Sequence, residues 1–232
     1  MEIKELVPKS KEIIVQPKTQ EGTFLDAFSY TIQNPLRNGN GKSYLYIISQ
    51  VQSNDASLDY VPNLIASFIK REIESGNGLA GPSSSKSELF ENSLKKTNEL
   101  IEGLLKNNSD LKLDIGIALI NKEKISASKI GKAKMLVYRP ENEETFDVFE
   151  NDTDFNKFHI DDSKRFSNII CGDVKKDDRF FFFIPNNRLN PKQKLITSTL
   201  CKSEQGEFLE QIHKIVSPEK IRKDSKGPVP CC

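Results

Sequence analysis

Thr23-Phe24-Leu25-Asp26-Ala27-Phe28-Ser29-Tyr30-Thr31-Ile32-Gln33 is the stretch on which the reading of this chain turns. Side chains alternate across a strand with period two. Phe24, Asp26, Phe28, Tyr30 and Ile32 therefore share one face, while Thr23, Ala27, Ser29 and Thr31 lie on the other. The first face is apolar except for one carboxyl group, which places a strand against a core. A carboxylate there is costly unless it is hydrogen-bonded, paired, or neutralised by a metal or a proton. Two readings of Asp26 stay open: it serves a backbone amide or a lysine, or it helps to hold a cation. A single carboxylate rarely holds a hard cation without helpers.

Working outward, Glu12 to Gln16 is a short apolar stretch suited to an edge strand. Asn34 to Lys42, with Pro35, Gly39 and Gly41, is a break. Ser43 to Gln50 is apolar on both faces and reads as a central strand. Two helices follow. Leu64, Ile65, Phe68, Ile69 and Ile73 form the stripe of the first, with Pro62 tolerated in its first turn. Phe90, Leu94, Thr97, Ile101, Leu104 and Leu105 form that of the second, which Ser85 and Glu88 could open with a capping box. Alternation at Leu111, Leu113, Ile115, Ile117 and Leu119 starts a strand-rich block. Ile125 to Ile130, Ala133 to Arg139 and Thr145 to Glu150 continue it as an antiparallel meander. Asn151 to Lys164 reads as loop, Phe166 to Cys171 and Arg179 to Ile184 as strands, and Lys192 to Leu200 and Glu204 to Ile215 as helices. This order is α+β, not an alternating nucleotide-binding pattern. The expected organisation is a tail over 1–10, one domain over 11–216, and 217–232 as a tail or the start of a truncated final strand.

The chain has 232 residues, enough for one sizeable core, and its 34 basic and 33 acidic residues are interspersed. A net charge of +1 gives no electrostatic case for nucleic acid or an anionic membrane. Cys171, Cys201, Cys231 and Cys232 show neither metal-ligand spacing nor a secretory framework. A prenylation reading of the terminal pair has no support upstream. Met1 to Pro8 lacks an apolar signal region, and runs such as Phe180 to Pro185 are too short to cross a bilayer. The expectation is a cytoplasmic, reduced protein. No glycine loop cradles phosphate, and His159 and His213 sit in unrelated polar contexts. Cys171 reads as a small core residue. The pairs Asp152/Asp154, Asp161/Asp162 and Asp177/Asp178 read as solvated loop charge.

Set in this order, the segments resemble the PPM-type (type 2C) metal-dependent serine/threonine phosphatases over roughly residues 22–215. Leu25-Asp26-Ala27-Phe28 is similar to the family's Glu–Asp–x–Phe strand. Leu45 to Val51 resembles the strand that runs into Asp–Gly, and Asp114 to Lys134 the meander that turns through Gly–Asp–Ser–Arg. Cys171 to Phe183 resembles the Gly–Asp–x–Leu–Leu–Leu strand that leads into Ser/Thr–Asp–Gly. No single motif is intact. The resemblance implies a four-layer α–β–β–α sandwich of two mainly antiparallel sheets flanked by helix pairs. It also implies two Mn²⁺ or Mg²⁺ ions whose bridging water attacks phosphorus.

Carried over residue by residue, the resemblance leaves one acid. Asp26 keeps its carboxylate, but the preceding Glu is Leu25. Gln50-Val51 stands for the metal-bridging Asp–Gly, Lys132 for the Asp of Gly–Asp–Ser–Arg, and Pro185-Asn186 for the later Asp–Gly. Two hard cations need several anionic oxygens, while a Gln amide is neutral and Pro has no side-chain oxygen. The expectation is a degenerate member with no metal and no catalytic residue, binding another protein or a phosphopeptide, with Lys132 a candidate anion holder. Two alternatives are weighed beside it. One is an active Mn- or Mg-dependent phosphatase whose acids come from Asp152, Asp154, Asp161, Asp162 or Asp177. The other is an unrelated α+β interaction domain.

Overall fold

Apolar alternation in one strand is useful only where neighbouring strands continue it, and the register does so. The computed structural model describes residues 7–16, 21–33, 42–79, 86–150, 155–160, 164–203 and 207–216. Ser85, Asp152, Asp154, Asp161, Asp162, and the tail 217–232 with its two cysteines lie outside them. Strands β1 (Thr23–Gln33) and β2 (Lys42–Gln52) pair antiparallel from Thr23–Gln52 to Gln33–Lys42. β2 pairs in turn with β3 (Lys112–Asn121), and β3 with β4 (Lys124–Ile130). The remaining strands are β5 (Lys134–Arg139), β6 (Glu144–Asp147), β7 (Phe155–His159), β8 (Asn168–Asp173) and β9 (Arg179–Phe183). They complete a six-stranded sheet A, β1-β2-β3-β4-β8-β7, and a three-stranded sheet B, β6-β5-β9.

Three apolar cores separate four layers. Helices α1 (Val61–Leu79) and α2 (Lys86–Asn107) cover one face of sheet A through Ile65, Ile69, Phe90, Leu94 and Ile101, packed on Leu45, Ile47, Ile115 and Ile117. Tyr44, Ala118, Ile120, Ile125, Met135 and Val137 fill the space between the sheets. Helices α3 (Gln193–Lys202) and α4 (Phe208–Val216) cover sheet B through Ile196, Leu200, Phe208 and Ile212. The result is the expected α–β–β–α sandwich. No helix among the described residues is long and apolar enough to cross a membrane.

The structure corrects several local readings. The meander breaks at Gly131, whose φ of +67 turns the chain out of β4 in sheet A into β5 in sheet B. The stretch 151–164, read as loop, contains β7; only its Phe155 is buried, so an edge strand mimics a loop in sequence. On α1 the buried stripe is Val61, Ile65, Ala66, Ile69 and Ile73, with Leu64 and Phe68 half-buried at its margins. Glu12 to Gln16 joins no ladder, although Ile13 and Val15 pack on the third core. Asp178 is not solvated: its side chain is wholly buried against Arg139.

Candidate functional site

Register decides which of the family positions meet. Leu25 lies opposite Gln50, and Gln50 opposite Asp114, so the three form a row across β1, β2 and β3. Alternation puts that row on the face that carries Tyr44, Ala118 and Ile120, toward sheet B. Gly131 closes over it: a Cβ there would stand 2.1 Å from Asp114 Oδ1, so both the left-handed φ and the close approach require glycine. The next residue's N–H, that of Lys132, donates to Asp114 Oδ1 at 2.8 Å. Gln50 is 6% exposed and its Oε1 accepts no hydrogen bond from the described residues. A carboxylate and an unsatisfied amide oxygen thus stand side by side under the Gly131–Lys132 turn.

The other family positions, Asp26, Val51, Pro185 and Asn186, lie elsewhere. Asp26 is opposite Ser49, on the face whose neighbours Phe24, Phe28 and Tyr30 pack toward α1 and α2. Its Oδ1 accepts the Ala27 N–H at 2.9 Å, the backbone-amide role left open from sequence. Val51 is fully buried in the same core. Asn186, following Pro185, is occupied locally. Its Oδ1 accepts from the N–H groups of Arg188 and Leu189 at 2.9 and 3.0 Å, and its Nδ2 donates to the Val15 carbonyl at 3.0 Å. Gln50 and Lys132 are therefore brought to one place, with Asp114 between them.

Asp114 escaped the sequence reading. Its signal was present: in an otherwise apolar strand, Asp114, Gly116 and Ala118 make one face polar or small, a face that leaves room. Beside Gly131 lies a cleft of about 250 Å³ bordered by Lys129, Lys157 and Arg165, with Ser167 and Asn168 and with no acidic residue in its lining among the described residues. Lys129 Nζ sits 4.9 Å from the centre of the Phe149 ring, a cation–π contact that leaves its charge in place. Among the described residues no three His, Cys, Asp or Glu side chains are grouped so as to hold a metal ion.

No protein-family profile and no curated protein matches this sequence. Solved structures do match in shape. The manganese-bound catalytic domain of the serine/threonine protein phosphatase PstP is 12% identical with a TM-score of 0.53, over 84% of this chain and 92% of that one. PppA, a key regulatory component of T6SS in Pseudomonas aeruginosa, is 14% identical with a TM-score of 0.52, over 83% and 91%. The Mycobacterium tuberculosis serine/threonine phosphatase PstP/Ppp is 11% identical with a TM-score of 0.50, over 83% and 92%. At these identities the likeness is one of architecture, and it agrees with the layers and sheet order above. The chain has the fold of the PPM-type serine/threonine phosphatases.

Proposed function

We propose that this chain is a PPM-fold binding or regulatory module, a pseudophosphatase, and not a metal-dependent hydrolase. The observation that carries this reading is the row Leu25–Gln50–Asp114. A pair of divalent ions needs several anionic oxygens to bind and to lower the pKa of a bridging water. This row offers one carboxylate, already accepting the Lys132 N–H, one neutral amide and one aliphatic side chain. These residues do not fit a dinuclear centre. What they and the neighbouring cleft do fit is an anion: Lys132 is exposed next to Gly131, which lines the adjoining cleft with Lys129, Lys157 and Arg165. An acidic protein segment or a phosphopeptide matches that charge.

Manganese titration by calorimetry and hydrolysis of p-nitrophenyl phosphate test the first half. The expected outcome is no saturable heat and no manganese-dependent turnover. Turnover that rises with Mn²⁺ would restore the hydrolase, with ligands drawn from Asp152, Asp154, Asp161 or Asp162. The second half predicts that a phosphoserine peptide binds and that Lys132→Glu weakens it by about tenfold, the scale of one lost charge-assisted contact.

A further inference from the structure

Sheet A has six strands and sheet B three. At about 4.8 Å per strand step, sheet A is roughly 14 Å wider than its partner. On the β1–β2 side the shortfall leaves a cavity of about 590 Å³ between the sheets. It is lined by Leu25, Tyr46 and Ile48 of sheet A, by the segment 7–15, by β9, and by Leu209 and Ile212 of α4. Tyr46, Ile48 and Phe180 are only half-buried, although Ser10 of the segment 7–15 hydrogen-bonds the Tyr46 side chain.

The edge of β9 makes this cavity more than an apolar gap. β9 pairs with β5 on one side and ends the sheet on the other. Segment 7–15 lines the same space yet makes no backbone hydrogen bond to β9 among the described residues. Outward N–H and C=O groups along Arg179–Phe183 thus face an apolar slot with no ladder partner among the described residues. A row of backbone donors and acceptors is complementary to an extended polypeptide, and no compact apolar ligand satisfies it. We infer that a β-strand of a partner protein docks in this slot, adding to sheet B at β9 and covering Tyr46 and Ile48 with its inward side chains.

Charge refines the occupant. Lys122 and Lys176 are exposed at the end of the slot where β9 begins, and neither has an ion-pair partner among the described residues. The docking strand carries an acidic residue at that end. The chain's own stretch 217–232 is a poor occupant. It sets Lys220, Arg222, Lys223 and Lys226 against Glu219 and Asp224, and Pro218, Pro228 and Pro230 remove ladder donors. The inference is independent of the phosphatase question: strand docking stands or falls whether or not manganese supports turnover.

The test uses the full chain and a short fluorescent peptide of alternating valine and threonine with glutamate at one end. Its control is the same peptide N-methylated at alternate residues, which keeps the side chains and removes the donors. The unmodified peptide is expected to bind at least about tenfold more tightly than the control, as the loss of two or more ladder bonds requires. It is also expected to slow hydrogen exchange at the outward amides of β9. Ile48→Trp, which fills the slot at a half-buried position, is expected to abolish binding with an unchanged melting temperature. Equal binding of the two peptides, no binding, or unaltered binding to the Ile48→Trp chain would overturn the inference. So would β9 amides already protected in the free chain, which would assign the slot to the chain's own residues.

Discussion

The Arg139 guanidinium donates to both carboxylate oxygens of Asp178, at 3.4 and 3.2 Å, and to the Asp173 carbonyl at 3.0 Å. Side-chain exposure is 5% for Arg139 and zero for Asp178, so the pair is desolvated and each partner depends on the other. Removing only the cation strands a buried carboxylate, whereas replacing both partners by apolar groups is often close to neutral. Arg139→Met is therefore expected to cost roughly 3–5 kcal/mol in urea unfolding. The double substitution Arg139→Met/Asp178→Leu should recover most of that loss; a double variant as unstable as the single one would contradict the argument. The same pair shows what a sequence hides. Asp178 sits among Lys175, Lys176 and Asp177, a context that reads as solvated charge, and its partner is 39 residues upstream. Asp114 was hidden differently, as one polar letter in an apolar strand whose neighbour Gln50 is fixed only by register.

Elements are joined here by small polar junctions, and one titrates. The Asp110 carboxylate, beyond the end of α2, accepts the Asn54 N–H at 2.7 Å and the Ser53 hydroxyl at 2.9 Å just past β2. Ser53 N–H donates to the Gly22 carbonyl at 2.9 Å before β1. The Asn54 amide first, then the Ser53 hydroxyl, hold the Asp110 carboxyl below its ordinary value of 3.8. A carboxyl depressed in the folded state stabilises it in full above the unfolded value, and the contribution disappears as pH falls through the folded one. The melting-temperature gap between the natural chain and Asp110→Asn should thus be constant from neutral pH down to about 5 and shrink below about 3.8. A gap as large at pH 3 as at pH 7 would refute this role. Element identity was legible where one face is buried: β1 ends at Thr23 and Gln33 as its alternation implies. It was lost in β7, where Asn156, Lys157, Phe158 and His159 are all exposed and no buried face writes a period into the sequence.

Across the whole molecule, the sandwich order followed from segment order and the family resemblance, but the contact between the sheets did not. One point of close approach is Gly116 of β3, where a Cβ would fall 2.3 Å from Phe182 Cζ of β9 and 3.1 Å from the Ala133 Cβ. Phe182 also lies 6.4 Å, ring centre to ring centre, from Phe149. The glycine is thus a spacer that lets one aromatic ring bridge two layers, and a packed interior tolerates an added methyl there poorly. Gly116→Ala should destabilise by about 1–3 kcal/mol, the range for overpacking. Phe182→Leu alone loses buried ring contacts. Combined with Gly116→Ala it also removes the clash, so the double variant should be more stable than the sum of the two losses by at least about 0.5 kcal/mol. Strict additivity in that cycle would mean that the ring is not what holds the two sheets at their present distance.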